Sequence, residues 1–204
     1  MNLIESLIPA SDIKGLIFDL DGTLADTMPL HIDAWRATGK LYGVEITAQM
    51  VEERAGTPTI QVIQQLNKLY NWDINPSSFR EKKNVVYLDL KKKHGKVQPV
   101  QRVVDVARSY RGKLPMAIGT GSIRYNASLA VQDLAIGDWF EAMYTADDVD
   151  HPKPHPETFL KCAEHIKVEP KDCMVYEDGP PGITAALAAG MTVVNVDTFE
   201  LYRP

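Results

Sequence analysis

Cysteine is nearly absent from this chain: two residues in 204, Cys162 and Cys173, with no paired cysteine or histidine spacing beside them. That excludes a disulfide framework and a cysteine-built zinc site. Positive charge is also short, 22 Lys and Arg against 27 Asp and Glu for a net −5, which argues against nucleic acid as a main partner. The densest cationic stretch, Lys91-Lys92-Lys93-His94-Gly95-Lys96, reads more simply as the solvated last turn of a helix, where cations oppose the helix dipole, than as a phosphate or nucleic-acid patch. Long apolar runs are missing too; none nears the roughly 20 residues that span a bilayer. Met1–Ala10 contains Leu3, Ile4, Leu7 and Ile8, but it lacks a cationic lead and Glu5 interrupts it, so no secretory leader is expected. The expectation is a cytoplasmic protein with free thiols, no membrane or nucleic-acid partner, and nothing that demands more than a monomer. What is present, 45% hydrophobic and 24% charged residues, suffices for one sizeable core domain plus a small accessory module.

Five short β-rich runs stand out: Gly15–Phe18, Pro115–Gly119, Ala142–Tyr144, Cys173–Tyr176 and Thr192–Val196. Helical periodicity fills the intervals between the last four, at Ile123–Leu134, Glu157–Ile166 and Ile183–Ala189, and Val100–Tyr110 leads into the second run. Strands alternating with helices predict right-handed βαβ units and a parallel five-stranded sheet covered on both faces. Residues 28–98 differ: they hold no convincing strand and much helical pattern, at His31–Leu41, Ile60–Leu69 and Phe79–Leu90. That is far too long for a βα connection. The fold class expected is therefore an α/β core, residues 1–27 and 99–204, interrupted by an all-helical cap at 28–98.

The chemistry gathers at strand ends. The run Leu16-Ile17-Phe18 stops at Asp19 and Asp21, with Gly22 and Thr23 directly after. Carboxylates at i and i+2 of an extended chain share a face and can address one reacting group. Two close anions repel, so the pair implies a cation between them or a proton on one. A single Asp-Gly would be only a turn signal; two acids after a buried strand build a site. Thr120-Gly121-Ser122 ends the second strand, offering a hydroxyl and successive backbone N–H groups to a phosphate, or else a plain N-cap for the helix that follows. Lys153 lies in His151-Pro152-Lys153-Pro154-His155-Pro156, where prolines stiffen the backbone, either to fix a charge beside a phosphate or as an exposed loop lysine. Glu177-Asp178-Gly179 ends the fourth strand with adjacent acids, the oxygen ligands that a hard divalent cation prefers.

Asp19-Leu20-Asp21-Gly22-Thr23 resembles the first signature of the haloacid dehalogenase-like superfamily, and the three later elements resemble its second, third and fourth motifs in order. The resemblance spans essentially the whole chain. It implies a Rossmann-like core with a helical cap, and Mg²⁺-dependent phosphoryl transfer through an aspartyl-phosphate. It assigns Asp19 as nucleophile, Asp21 as acid and base provided its surroundings raise its pKa, and Thr120 and Lys153 as phosphate ligands with Gly121 and Ser122. Mg²⁺ would be held by Asp19, Asp178 and the backbone carbonyl of Asp21, with Glu177 joining through a water or orienting one. Pro180-Pro181 departs from the small polar residue that relatives often carry there.

The cap resembles the β-phosphoglucomutase-like branch. His31, with Trp35 a turn later, matches a histidine near the sugar in that branch, or else simply packs on Trp35. Glu52–Thr59 resembles its substrate loop, which puts Arg54, Gly56, Thr57 and Thr59 beside the ligand. Trp35, Trp72 and Phe79 read as cap core. A mutase must grip a second phosphate, and the arginine that does so in the branch is replaced by Thr59. The resemblance therefore favours hydrolysis of a small sugar phosphate, akin to a fructose-1-phosphate/6-phosphogluconate phosphatase subgroup. A sugar phosphate mutase is the alternative, and a catalytically silent binding protein is a further rival.

Overall fold

A computed structural model describes residues 6–204; the first five positions of the Met1–Ala10 segment lie outside the described residues. Six strands form one sheet: β1 (Gly15–Phe18), β2 (Met116–Gly119), β3 (Ala142–Tyr144), β4 (Cys173–Glu177), β5 (Thr192–Asn195) and β6 (Leu201–Tyr202). Their order is β3-β2-β1-β4-β5-β6, the first five parallel and β6 antiparallel to β5. The five expected strands are found. The sixth, a two-residue strand, corrects the strand count. It returns by a tight turn in which Asn195 Oδ1 accepts from the N–H groups of Asp197 and Thr198, at 2.8 and 3.0 Å.

Period-two alternation explains why the strands read as unbroken apolar runs. Leu16 and Phe18 point to one face, with Met116, Ile118, Met174 and Tyr176, under α5 (Gln101–Tyr110) and α6 (Arg124–Leu134). Ile17 points to the other, with Ala117, Val175 and Val193, under α7 (Glu157–His165) and α8 (Pro180–Ala188). Phe18 and Tyr176 stack with ring centroids 4.5 Å apart on adjacent strands. Both cysteines are buried thiols on the second face.

Between β1 and β2 lie four cap helices: α1 (Met28–Leu41), α2 (Ala48–Glu52), α3 (Thr59–Tyr70) and α4 (Pro76–His94). They share a core of Trp35, Val51, Val62, Ile63, Leu66 and Phe79, in which Phe79 packs as expected, while Trp35 packs there and also reaches the wall of a cavity. Helix α2 went unforeseen because it is short; Thr47 Oγ1 caps it by accepting from Met50 N at 3.2 Å. Lys91, Lys92, Lys93 and His94 form the last turn of α4.

Two local expectations need correction. Helix α8 starts at Pro180, not Ile183, because both prolines occupy the first turn, where a missing N–H costs nothing. Helix α6 starts at Arg124 with Ile123 at the cap position and no side-chain cap, so neither Thr120 nor Ser122 plays that part. No helix among the described residues is long and apolar enough to cross a membrane.

Candidate active site

Four strand ends meet at one sheet edge, the C-terminal edge where open α/β folds bind ligands. From β1, Asp19 continues the ladder by donating its N–H to Tyr176 O at 2.9 Å, which buries its carboxylate between β1 and β4. The chain then turns at Gly22, whose φ of +88° suits glycine and whose backbone lies against the Asp178 carboxylate, leaving no room for a Cβ.

Lys153 is fully buried, and it is no exposed loop lysine. Its ammonium donates to Asp19 Oδ1 at 2.6 Å and to Glu177 Oε1 at 2.8 Å, and lies over the Phe159 ring. Glu177 is thereby committed: its other oxygen accepts from Gly179 N at 2.6 Å, and Gly182 leaves space that any side chain would close. Asp178 Oδ1 accepts from Thr23 Oγ1 at 2.9 Å. Two buried acids, Asp19 and Glu177, thus share one cation, with the half-buried Asp178 beside them. Burial first, then the neighbouring carboxylates, push Asp178 well above the ordinary carboxylate range, and Asp19 moves upward for the same reasons despite Lys153. Such a cluster calls for a second positive charge among its oxygens.

Asp21 behaves oppositely, and the upward shift on which its acid role was made conditional is not found here. Its carboxylate accepts from Thr27 Oγ1 (2.6 Å), Ser122 Oγ (2.6 Å) and Thr120 Oγ1 (3.3 Å), and meets His31 Nε2 at 3.1 Å. Burial opposes ionisation, but these partners, His31 above all, outweigh it and hold Asp21 well below the usual range. His31 comes from α1 and stacks on Tyr87, not Trp35, with centroids 4.5 Å apart. Burial lowers its pKa although Asp21 pulls the other way; Nε2 faces Asp21 while Nδ1 faces Lys83 Nζ at 3.5 Å. Lys83 in turn lies 5.0 Å above the Trp35 ring.

The cap loop closes the site. The Gly56 carbonyl packs directly on Gly121, and the Ala55 carbonyl packs on Gly179. Beneath it remains a cavity of about 340 Å³ whose wall includes Asp19, Asp21, Thr120, Gly121, Ser122 and His31, with Arg54, Gly56, Thr57 and Thr59 from the cap loop and the start of α3. Lys153, Glu177 and Asp178 stand behind that wall, outside its lining. Sequence reasoning missed Arg80, Lys83, Asn84 and Tyr87 of α4, Asn126 of α6, and Asp147 and Asp150, all of which line the cavity. The α4 set was discoverable, since its spacing of i, i+3, i+4, i+7 is one helix face.

Among the described residues no group of three or more His, Cys, Asp or Glu side chains is arranged to hold a metal ion by itself. The surplus of buried acid nonetheless fits a hard cation of the Mg²⁺ kind, which takes one or two carboxylates and completes its shell with water and phosphate.

A family model described as haloacid dehalogenase-like hydrolase matches residues 16–196. The fructose-1-phosphate phosphatase YqaB of Escherichia coli is 42% identical over 183 residues, covering 89% of this chain and 95% of that one. A phosphorylated carbohydrates phosphatase of Thermotoga maritima is 31% identical over 186 residues, covering 88% and 82%. The crystal structure of β-phosphoglucomutase from Clostridium difficile superposes with a TM-score of 0.75 at 27% identity, covering 89% and 83%. The match reaches from β1 through β5 and takes in every strand end described above, and the chain belongs to the haloacid dehalogenase-like hydrolases.

Proposed function

We propose that this protein is a Mg²⁺-dependent phosphatase of a small sugar phosphate, acting through a phosphoryl group carried transiently on Asp19. The observation that carries the proposal is Asp19 itself: a buried carboxylate with one oxygen tied to Lys153, in the wall of a cavity of sugar-phosphate size. Two relatives more than 30% identical are phosphatases of phosphorylated sugars or carbohydrates by name.

Asp19 attacks phosphorus with the oxygen not engaged by Lys153; an Asp19 O–P bond forms as the bond to the sugar oxygen breaks. Lys153, Thr120 and the N–H groups of Gly121 and Ser122 offset the charge on the phosphoryl oxygens. Asp19 and Asp178, with the Asp21 carbonyl, would hold Mg²⁺, which supplies charge neutralisation at the phosphoryl group. Glu177 fixes Lys153 rather than contacting substrate. Asp21 must release its present partners to serve as acid: an arriving phosphate claims Thr120 and Ser122, and its negative charge raises the Asp21 pKa towards a value suited to protonating the sugar oxygen. Asp21 then takes a proton from the water that cleaves the Asp19 ester.

Hydrolysis is favoured over mutase chemistry because Thr59 stands where the mutase branch carries its arginine and Arg54 is partly committed, donating to Met50 O and Glu53. Arg80 and Lys83 also line the cavity, and the product formed from β-glucose 1-phosphate decides between the two. A cytoplasmic monomer acting on a small metabolite remains the sequence-based expectation, and the relatives named as phosphatases of phosphorylated sugars or carbohydrates give the substrate class. The test is inorganic phosphate release with Mg²⁺ from fructose 1-phosphate, 6-phosphogluconate and both glucose phosphates. Asp19→Asn should abolish it; substantial residual turnover refutes the assignment, and glucose 6-phosphate formed from β-glucose 1-phosphate would favour the mutase.

A further inference from the structure

Two buried polar side-chain atoms among the described residues lack a hydrogen-bond partner, Arg54 Nε and Asn126 Oδ1, and both belong to residues lining the cavity. Folded proteins leave few such groups, since each costs the full desolvation of a donor or acceptor. Their coincidence at one cavity marks places that a ligand completes. Arg54 belongs to the substrate loop already described; Asn126 has been given no part in the chemistry.

Asn126 sits on α6, in the core, and Asn84 on α4, in the cap. Across the seam Asn126 Nδ2 donates to Asn84 Oδ1 at 3.0 Å. Both line the cavity, Asn84 between Lys83 and Tyr87 on the same helix face. The single bond fixes each amide relative to the other and leaves the Asn126 oxygen with nothing to accept from. A purely structural link would have its spare atoms solvated or paired.

Resting on the phosphatase reading, we propose that the Asn84–Asn126 pair reads one hydroxyl of the substrate remote from the phosphate, and so selects polyhydroxylated esters. Two points favour a hydroxyl over another group. The pair is neutral and gives no charge to a second phosphate or carboxylate. Turning both amides over keeps the bond between them and presents N–H where oxygen now stands, and a hydroxyl alone satisfies either orientation because it both donates and accepts. The amide torsion of asparagine is broad, so the oxygen turns to the incoming hydroxyl without moving α6.

The experiment compares kcat/KM for fructose 1-phosphate with its singly deoxygenated analogues, in wild type, Asn126→Ala, Asn84→Ala and the double variant, with melting temperatures for each. Wild type should disfavour one analogue by about tenfold or more, as sites built around a hydroxyl do. Asn126→Ala should bring that ratio close to one, Asn84→Ala should lower it, and the double variant should discriminate no worse than Asn126→Ala, the mark of a coupled pair. An active wild type indifferent to every analogue, or an Asn126→Ala variant with the ratio intact, overturns the proposal whatever the melting temperature does. A wild type that releases no phosphate from any ester defeats the phosphatase reading instead, and this inference with it.

Discussion

The carbonyl oxygen of Gly56, in the cap, rests on Gly121, in the core, so closely that a methyl group at position 121 would overlap it. Two loops from separate parts of the chain meet backbone to backbone over the site. This closeness depends on the missing side chain.

Gly121→Ala should therefore prop the cap loop away from Thr120 and Ser122 while leaving the sheet intact. A displacement of about 1 Å at reacting groups can cost on the order of 100-fold in rate, and kcat/KM is expected to fall by that order. Small-angle scattering should show a larger radius of gyration than wild type. An unchanged rate would mean that closure over Gly121 has no part in turnover.

Lys153→Met removes the ammonium that pairs with both Asp19 and Glu177. Breaking a buried ion pair from one side costs about 3–5 kcal/mol. The variant should melt well below wild type and show no turnover. A melt equal to wild type would contradict the ion pairing described.

Magnesium should raise the melting temperature of the wild type, because a ligand bound only by the folded state stabilises it by about 2.7 kcal/mol at a concentration 100 times its Kd. Asp178→Asn, which keeps the shape and removes the charge, should weaken that response by at least about tenfold in apparent affinity. Calcium-free titrations followed by differential scanning calorimetry would measure both.

Lys83 supplies the pH prediction. Burial pulls its pKa down to about 8, only partly opposed by Asp21. In the unfolded chain it stays protonated to about 10.4. Between these values the unfolded state binds more protons, so this lysine makes unfolding free energy rise with pH from about 8 to 10.4. Function should run the other way: the cation facing His31 is lost above pH 8, and affinity for an anionic substrate should fall there. Lys83→Met should flatten both trends, read by melts and by KM across pH 7–10.

The strand ends were legible because each joins two strong local signals, an apolar run and an abrupt polar group. Asp19 after Phe18 and Asp178 after Tyr176-Glu177 are of this kind. The partners of Asp21 were not, because Thr27 and His31 come from one segment and Thr120 and Ser122 from another, and only the fold brings the two together. The acid role of Asp21 was made conditional on surroundings that favour the proton, and these surroundings do the reverse. Glu177 was expected to join the metal through a water or to orient one; what the sequence did not reveal is that its carboxylate meets Lys153 and the N–H of Gly179. The cavity face of α4 was overlooked because Arg80, Lys83 and Asn84 lie inside a helical stretch, with no strand end or motif beside them to mark a site.

Lys153 holds Glu177 with the same ammonium that holds Asp19. In the proposed mechanism, a phosphoryl group arriving on Asp19 and later leaving would replace one anion by another beside this nitrogen, and its grip on Glu177 need not change. Esterification and hydrolysis can then proceed on a preorganised scaffold, with no loop rebuilt between the two halves of the cycle.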